Sequence, residues 1–504
     1  MTNHLFDLIR ARMPSPGARF ALLDDGREYS YQDVLDSSAR FASALAALGV
    51  EPGDRVAVQV EKSVEALMLY LGTVRAGGIF LPLNTAYTPA EIEYFLGDAE
   101  PAVFVCDPAK APALKPFAEK AGAKLETLGV GTGTLLDKAN AASGSFVDVA
   151  RGPDDLAAIL YTSGTTGRSK GAMLSHDNLS SNALTLVDYW RFGKDDVLLH
   201  ALPIFHTHGL FVATNTILLA GASMILLPKF DPEQIFRYLP QATSMMGVPT
   251  FYVRLLQDAR LNRETTKHMR LFVSGSAPLL AETHREWRER TGHAILERYG
   301  MTETNMNTSN PYDGDRVAGT VGFPLPGVSA RVVDPETGKA LAAEEIGMIE
   351  VKGPNVFKGY WRNPEKTAAE FRADGFFITG DLGKIDERGY VHIVGRGKDL
   401  IITGGYNVYP KEVETEIDGM DGVVESAVFG VPHADFGEGV TAAVVCKPGA
   451  SITASAIAKA LEDRLAKFKL PKQVFIVPEL PRNTMGKVQK NLLRDQYKDI
   501  YAAK

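Results

Sequence analysis

Residues 161–171 read YTSGTTGRSKG, a run of small residues flanked by cations and suited to holding phosphate. Ser163, Gly164, Thr165, Thr166, Gly167 and Ser169 leave backbone N–H groups and hydroxyls free to surround anionic oxygens, and Arg168 and Lys170 add positive charge. The Walker loop of kinases and GTPases does not account for the run. That loop needs Gly, four residues, then Gly-Lys-Ser/Thr, and here Arg168 follows the second glycine. An ordinary polar surface loop is the competing reading, because Gly/Ser/Thr clusters usually form one. The GVGTG of residues 129–133 lacks the full dinucleotide pattern and a following helix, so it is expected to be a turn.

The elements that must position these residues show in the hydrophobic pattern. Short β-branched runs at 55–60 (RVAVQV), 102–107 (AVFVCD), 156–162 (LAAILYT), 223–228 (SMILLP) and 270–275 (RLFVSG) alternate with helical patterns such as 62–78 (KSVEALMLYLGTVRAGG). That alternation predicts an α/β fold, a large N-terminal lobe of helix-covered, largely parallel sheets. After about residue 325 strands and turns take over (SARVVDPETG, GMIEVKG, GYVHIVGRG), which predicts a β-rich subdomain. From about Asp399 a smaller α+β domain is expected, with VVESAVFGV, TAAVVCKPG, the helix TASAIAKALEDRLAKF and QVFIVPEL. We place the N-terminal domain at 1–396 and the C-terminal domain at 397–504.

Composition excludes several classes. The 504 residues are 45% hydrophobic and 23% charged, as in ordinary globular proteins. A net charge of −7 with both signs dispersed argues against a general nucleic-acid binder. Residues 464–498 carry nine Lys or Arg against Glu479 and Asp495, a solvated face by default. Cys106 and Cys446 lie far apart without metal-ligand spacing, so neither a disulfide framework nor a zinc site is expected, and a reducing cytoplasm fits. The N-terminus has no secretory apolar core, and the uncharged stretch 209–228 fits a buried helix and strand better than a membrane span.

Eight signatures occur in order: YTSGTTGRSKG (161–171), FHTHG (205–209), SGSAP (274–278), YGMTET (299–304), TGDLG (379–383), GRGKDLI (395–401), GGYNVYPKEVE (404–414) and PRNTMGKV (481–488). On these the chain resembles the adenylate-forming acyl-CoA synthetases over nearly its whole length. The resemblance implies two reactions in one pocket, with ATP, Mg²⁺ and coenzyme A. A carboxylate first joins the α-phosphate of ATP with loss of pyrophosphate, and a thiol then displaces AMP. Positioning and positive charge matter more than covalent catalysis in such a phosphorus transfer.

The resemblance assigns the β- and γ-phosphates to the loop from Thr162 to Lys170, the α-phosphate to Thr302 and Mg²⁺ to Glu303. Adenine is expected against Tyr299 and the backbone of Ser276, Ala277 and Pro278, with Gly300 and Met301 also among the expected ATP-binding residues. Asp381 and Arg396 correspond to the ribose contacts. Lys487 matches the lysine that neutralises charge at the α-phosphate. Lys398 matches the hinge of a mobile C-terminal domain, and Gly404 and Gly405 would face the pantetheine arm. Out of context each of these is more often a turn, surface or core residue.

For the acid, Arg254 stands one helical turn after Thr250 on the segment that lines the acyl pocket in the family, and a buried guanidinium there requires an anionic partner. With His206, Thr207 and Met306 this resembles the malonyl-CoA synthetase subgroup, for which malonate and methylmalonate are the expected acids. Arg254 snorkelling to solvent would leave a generic acyl pocket. A synthetase for other short or aryl acids and a non-catalytic nucleotide-binding regulator are the alternatives. Lys487 is also a plausible target for a lysine acetyltransferase and deacetylase, since acetylation removes its charge. His208 receives no role.

Overall fold

A computed structural model of the chain describes residues 2–162, 169–403, 406–433, 435–462, 464–483 and 486–501. The chain divides into two compact units. The first comprises 1–318, 323–329 and 352–377, and the second comprises 319–322, 330–351 and 378–504.

The first unit holds two helix-covered sheets. One runs Lys124–Thr127, Val103–Cys106, Arg55–Gln59, Ile79–Pro82, Leu156–Thr162 and Lys170–Ser175; its strands are parallel until the last pair, which closes as an antiparallel hairpin. The other has Val197–His200, Ser223–Leu226, Ser244–Gly247 and Leu271–Ser274 as parallel neighbours at its centre and antiparallel pairs at both edges. Ser223–Leu226, Ser244–Gly247 and Leu271–Ser274 are buried along their length, as continuous apolar runs require when helices cover both faces. Ser63 caps the helix Val64–Arg75, accepting a hydrogen bond from the Ala66 amide at 3.1 Å. The Gly129–Gly133 segment is a turn, as expected, but the helix Thr134–Ala141 follows it directly, contrary to the sequence reading; the incomplete glycine pattern alone then sets it apart from a dinucleotide loop.

The uncharged stretch 209–228 lies inside the first unit. It forms a π-helix, His208–Thr214, continued by the helix Asn215–Ala220 and, after Gly221 in the left-handed region, by the strand Ser223–Leu226. Among the described residues no helix is long and apolar enough to cross a membrane.

The second unit carries a small β-sheet in which Val391–Arg396, within the GYVHIVGRG run expected after residue 325, pairs antiparallel with Phe377–Ile385, a strand the sequence reading did not single out. It also carries a sheet centred on the long pair Val423–His433 and Gly437–Cys446. The helices Pro410–Asp418 and Ala454–Glu462 bury Val413, Ile417, Ile457 and Leu461 against that sheet.

Candidate active site

The hairpin at the edge of the first sheet brings Thr162 and Lys170, at the two ends of the phosphate-loop candidate, into register as Cα partners. Ser163, Gly164, Thr165, Thr166 and Gly167 lie outside the described residues, as do Gly404 and Gly405. Tyr94 Oη donates to the Ser169 carbonyl at 2.7 Å and anchors the end of the loop. Lys170 sits 4.8 Å above the Tyr360 ring and 3.8 Å from Glu370.

Tyr360 ties this hairpin to the Mg²⁺ candidate. Its hydroxyl lies 3.0 Å from Glu303 Oε1 and 2.6 Å from Glu370 Oε2. Burial first, then the charge of Glu303, raises the pKa of the phenol, so it stays a donor shared between two carboxylates. Glu303 is buried. Among the described residues no cluster of three or more His, Cys, Asp or Glu is arranged to hold a metal. Mg²⁺ is commonly held by one or two carboxylates together with substrate phosphates, and the hydrogen-bonded carboxylate of Glu303 is a fitting ligand of that kind.

Tyr299, Gly300 and Met301 end the strand Leu296–Met301, which turns back through half-buried Thr302 into Asn305–Ser309. The return is tight. A Cβ on Gly300 would collide with the Asn305 carbonyl and with Met306, so only glycine fits. Asn305 adopts φ 49° and accepts from Thr207 Oγ1 at 2.7 Å, which joins the FHTHG segment to this hairpin. Met306 is 1% exposed over Gly300, and its backbone N–H and C=O are both bonded to the Asn182 side chain. His206 is half-buried and its Nδ1 accepts from the His208 amide at 3.2 Å. Ser276 lies in the left-handed region at φ 70°, a strained conformation for a non-glycine residue, between Gly275 and half-buried Ala277 and exposed Pro278.

Arg254 departs from expectation. On the helix Pro249–Leu256 the buried positions are Tyr252 and Leu255, and Arg254 is exposed, its guanidinium 5.7 Å above the Phe230 ring. The buried guanidinium belongs instead to Arg298, 4% exposed, whose Nε and Nη2 have no hydrogen-bond partner among the described residues. Burial pulls its pKa down to about 9, with Tyr252 offering slight relief. Gly275 makes room for it, since a Cβ there would collide with the guanidinium. Next to it His208 is fully buried, with Nδ1 3.2 Å from Ser276 Oγ and Nε2 without a partner among the described residues. Burial first, then Arg298, holds the pKa of His208 well below the usual histidine range. Segments from FHTHG, SGSAP and LERYGMTET therefore meet at Arg298, whose Nε and Nη2 donors lack an acceptor among the described residues, with the unpartnered Nε2 of His208 close by. Such a group suits a buried anion.

In the second unit Asp381 and Arg396 face each other as cross-strand partners, with Arg396 Nε 2.9 Å from the buried Asp381 carboxylate. Lys398 is half-buried in a single turn, Gly397–Asp399, and burial lowers its pKa. Lys487 is exposed on a loop closed by Asn483, whose side chain accepts from the Lys487 amide at 2.9 Å. The basic stretch is largely paired within the unit. Lys469, Lys490 and Arg494 meet Glu412, Glu414 and Asp399 at 2.5, 2.6 and 2.6 Å, and Arg482 meets Glu425.

The chain is similar to a malonate–CoA ligase of Arabidopsis thaliana, 34% identical over 94% of this chain and 86% of the relative. A feruloyl-CoA synthase of an Amycolatopsis species is 36% identical, with 97% of each chain covered. The crystal structure of ATP-bound MatB from Rhodopseudomonas palustris superposes with a TM-score of 0.98 at 67% identity, over 99% of this chain and 100% of that one. The AMP-binding enzyme family matches residues 10–361 and the AMP-binding enzyme C-terminal domain matches residues 412–487. The motifs, the doubled sheets that present them and these likenesses agree, and the chain belongs to the AMP-binding enzyme family.

Proposed function

We propose that this chain is a malonyl-CoA synthetase, an ATP- and Mg²⁺-dependent ligase converting malonate and coenzyme A to malonyl-CoA, AMP and pyrophosphate through an acyl-adenylate. The carrying observation is Arg298, a buried guanidinium without a partner among the described residues, beside His208 and Gly275. A monocarboxylic acid spends its only carboxylate on the α-phosphate and offers Arg298 nothing. A short diacid brings a second carboxylate to it. The likeness to a malonate–CoA ligase and to MatB supports this reading, and the likeness to a feruloyl-CoA synthase supports the broader acid–thiol ligase class.

The roles follow from the chemistry. The backbone and hydroxyls of Thr162, Ser163, Gly164, Thr165, Thr166 and Gly167, with Lys170, hold the β- and γ-phosphates, and Thr302 holds the α-phosphate. Glu303, oriented by Tyr360, would hold the Mg²⁺, which neutralises phosphate charge. Ser276, Ala277, Pro278, Tyr299, Gly300 and Met301 enclose adenine, and Asp381 with Arg396 takes the ribose hydroxyls. Lys487 supplies the cation at the α-phosphate. Lys398 is the hinge between domains 1–396 and 397–504, and Gly404 and Gly405 admit the pantetheine arm. His206, Thr207 and Met306 wall the acid, Met306 limiting a 2-substituent to about a methyl group, as in methylmalonate. Arg254 adds long-range attraction for an anionic acid. A cytoplasmic setting fits two free cysteines, and acetylation of Lys487 would switch the enzyme off.

The test is thioester formation from coenzyme A across malonate, methylmalonate, succinate, acetate and coumarate. Malonate is expected to give the highest kcat/KM. A preference for acetate or coumarate would overturn the assignment.

A further inference from the structure

Lys62 is a buried amine that the chemistry above leaves unused. It precedes the helix Val64–Arg75, is 8% exposed, and reaches into the core. Its Nζ lies 2.9 Å from His200 Nδ1 and 2.8 Å from the His200 carbonyl; these are its partners among the described residues, and no carboxylate is one of them. Burying an amine without a counter-charge is costly, so its bonds must fix something that matters.

What they fix is the start of the π-helix. With Nδ1 accepting from Lys62, the His200 ring is left to donate from Nε2, and it does so to the Gly209 carbonyl at 2.9 Å. Thr214 Oγ1 donates to the same carbonyl at 2.9 Å. A Cβ on Gly209 would collide with the Pro203 carbonyl, so this peptide is held from both sides. A second buried link, Tyr70 Oη to Asn215 Oδ1 at 3.2 Å, joins the Lys62 helix to the end of the same π-helix. π-Turns are less stable than α-helix and occur mostly at functional sites. This one begins directly after His206 and Thr207.

We infer that Lys62 is a positioning residue that acts through His200 on the Gly209 peptide and so sets the placement of His206, Thr207 and His208 around the acid. The inference rests on the acid-site reading above, but its consequence holds for whichever acid the enzyme prefers. Lys62 touches no part of the nucleotide site described here, so its removal should raise the KM for the acid and spare that for ATP. Bonds that fix a reacting geometry are commonly worth tenfold or more in rate or binding.

The experiment measures pyrophosphate release by Lys62→Met, His200→Phe and His200→Gln, each checked by thermal unfolding, with the acid and ATP varied separately. In Lys62→Met and His200→Phe the KM for the preferred acid should rise about tenfold or more, with the ATP KM within about twofold. His200→Gln, which keeps one acceptor and one donor, should recover part of the loss. If Lys62→Met does not fold, Thr214→Val interrogates the same carbonyl and should show the same split. Imidazole ¹⁵N shifts of the wild-type protein supply a readout independent of turnover, and they should show His200 as the Nε2–H tautomer at neutral pH. An unchanged acid KM in the folded variants, a parallel rise in both KM values, or an Nδ1–H tautomer would overturn the inference. Activity on a different acid with the KM split intact would instead overturn only the choice of malonate.

Discussion

Replacing Arg298 by methionine should stabilise the free protein and abolish its use of a diacid. Burial lowers the pKa of this guanidinium to about 9, roughly 3 to 4 units below its ordinary value, so carrying its charge costs the fold on the order of 4 kcal/mol. Methionine keeps much of the stem packing and removes the charge, so a gain of about 1–4 kcal/mol is expected, as when buried charges give way to apolar side chains of similar volume. The bound acid would then place a carboxylate where its cation used to be, a loss of about 3–5 kcal/mol that corresponds to a drop in kcat/KM of at least about a hundredfold. The urea midpoint gives the first quantity and malonate-dependent pyrophosphate release the second. Arg254→Met is the companion variant; being exposed, Arg254 should alter malonate use by only a few-fold. A destabilised Arg298→Met enzyme that still activates malonate would show that Arg298 is already neutralised within the fold, and the substrate argument would fail.

Two further expectations come from other groups. In Tyr360→Phe, Glu303 and Glu370 lose their shared donor, and the KM for magnesium-ATP should rise about tenfold while that for the acid stays near its wild-type value; an unchanged nucleotide KM would remove Tyr360 from the site. Acidification should destabilise the protein, because burial is the main cause that lowers His200 and His208 well below the usual histidine value and His176 to about 4. Between about pH 6.5 and 4 the unfolded chain binds protons that the folded chain refuses, so stability falls as pH drops, by up to about 1.4 kcal/mol per unit for each such histidine. Urea midpoints that stay flat from pH 7 to 5 would contradict this.

The architecture was readable where hydrophobic runs were long. The strands 55–59, 103–106, 156–162, 223–226 and 271–274 all fall inside the apolar runs, because strands covered on both faces must be apolar throughout. The two arginines show the limit. Arg254 lies between Tyr252 and Leu255, the pair that marks the buried face of its helix, so helical periodicity alone places it outside. Arg298 stands beside Glu297 in a strand where both faces are buried, and alternation carries no directional information there. Two adjacent charges within an otherwise apolar run were the available signal. Tyr360 was beyond reach because its partner Glu303 is 57 residues away and only the tertiary fold joins them. His208 looked redundant beside His206, and its burial next to Arg298 is a product of the π-helix.

If the enzyme activates a diacid on ATP before coenzyme A takes part, labelled pyrophosphate should exchange into ATP with coenzyme A omitted. With Mg²⁺ present, malonate should drive the exchange and butyrate, matched in chain size but lacking the second carboxylate, should not. No exchange with malonate, or equal exchange with both acids, would contradict the account.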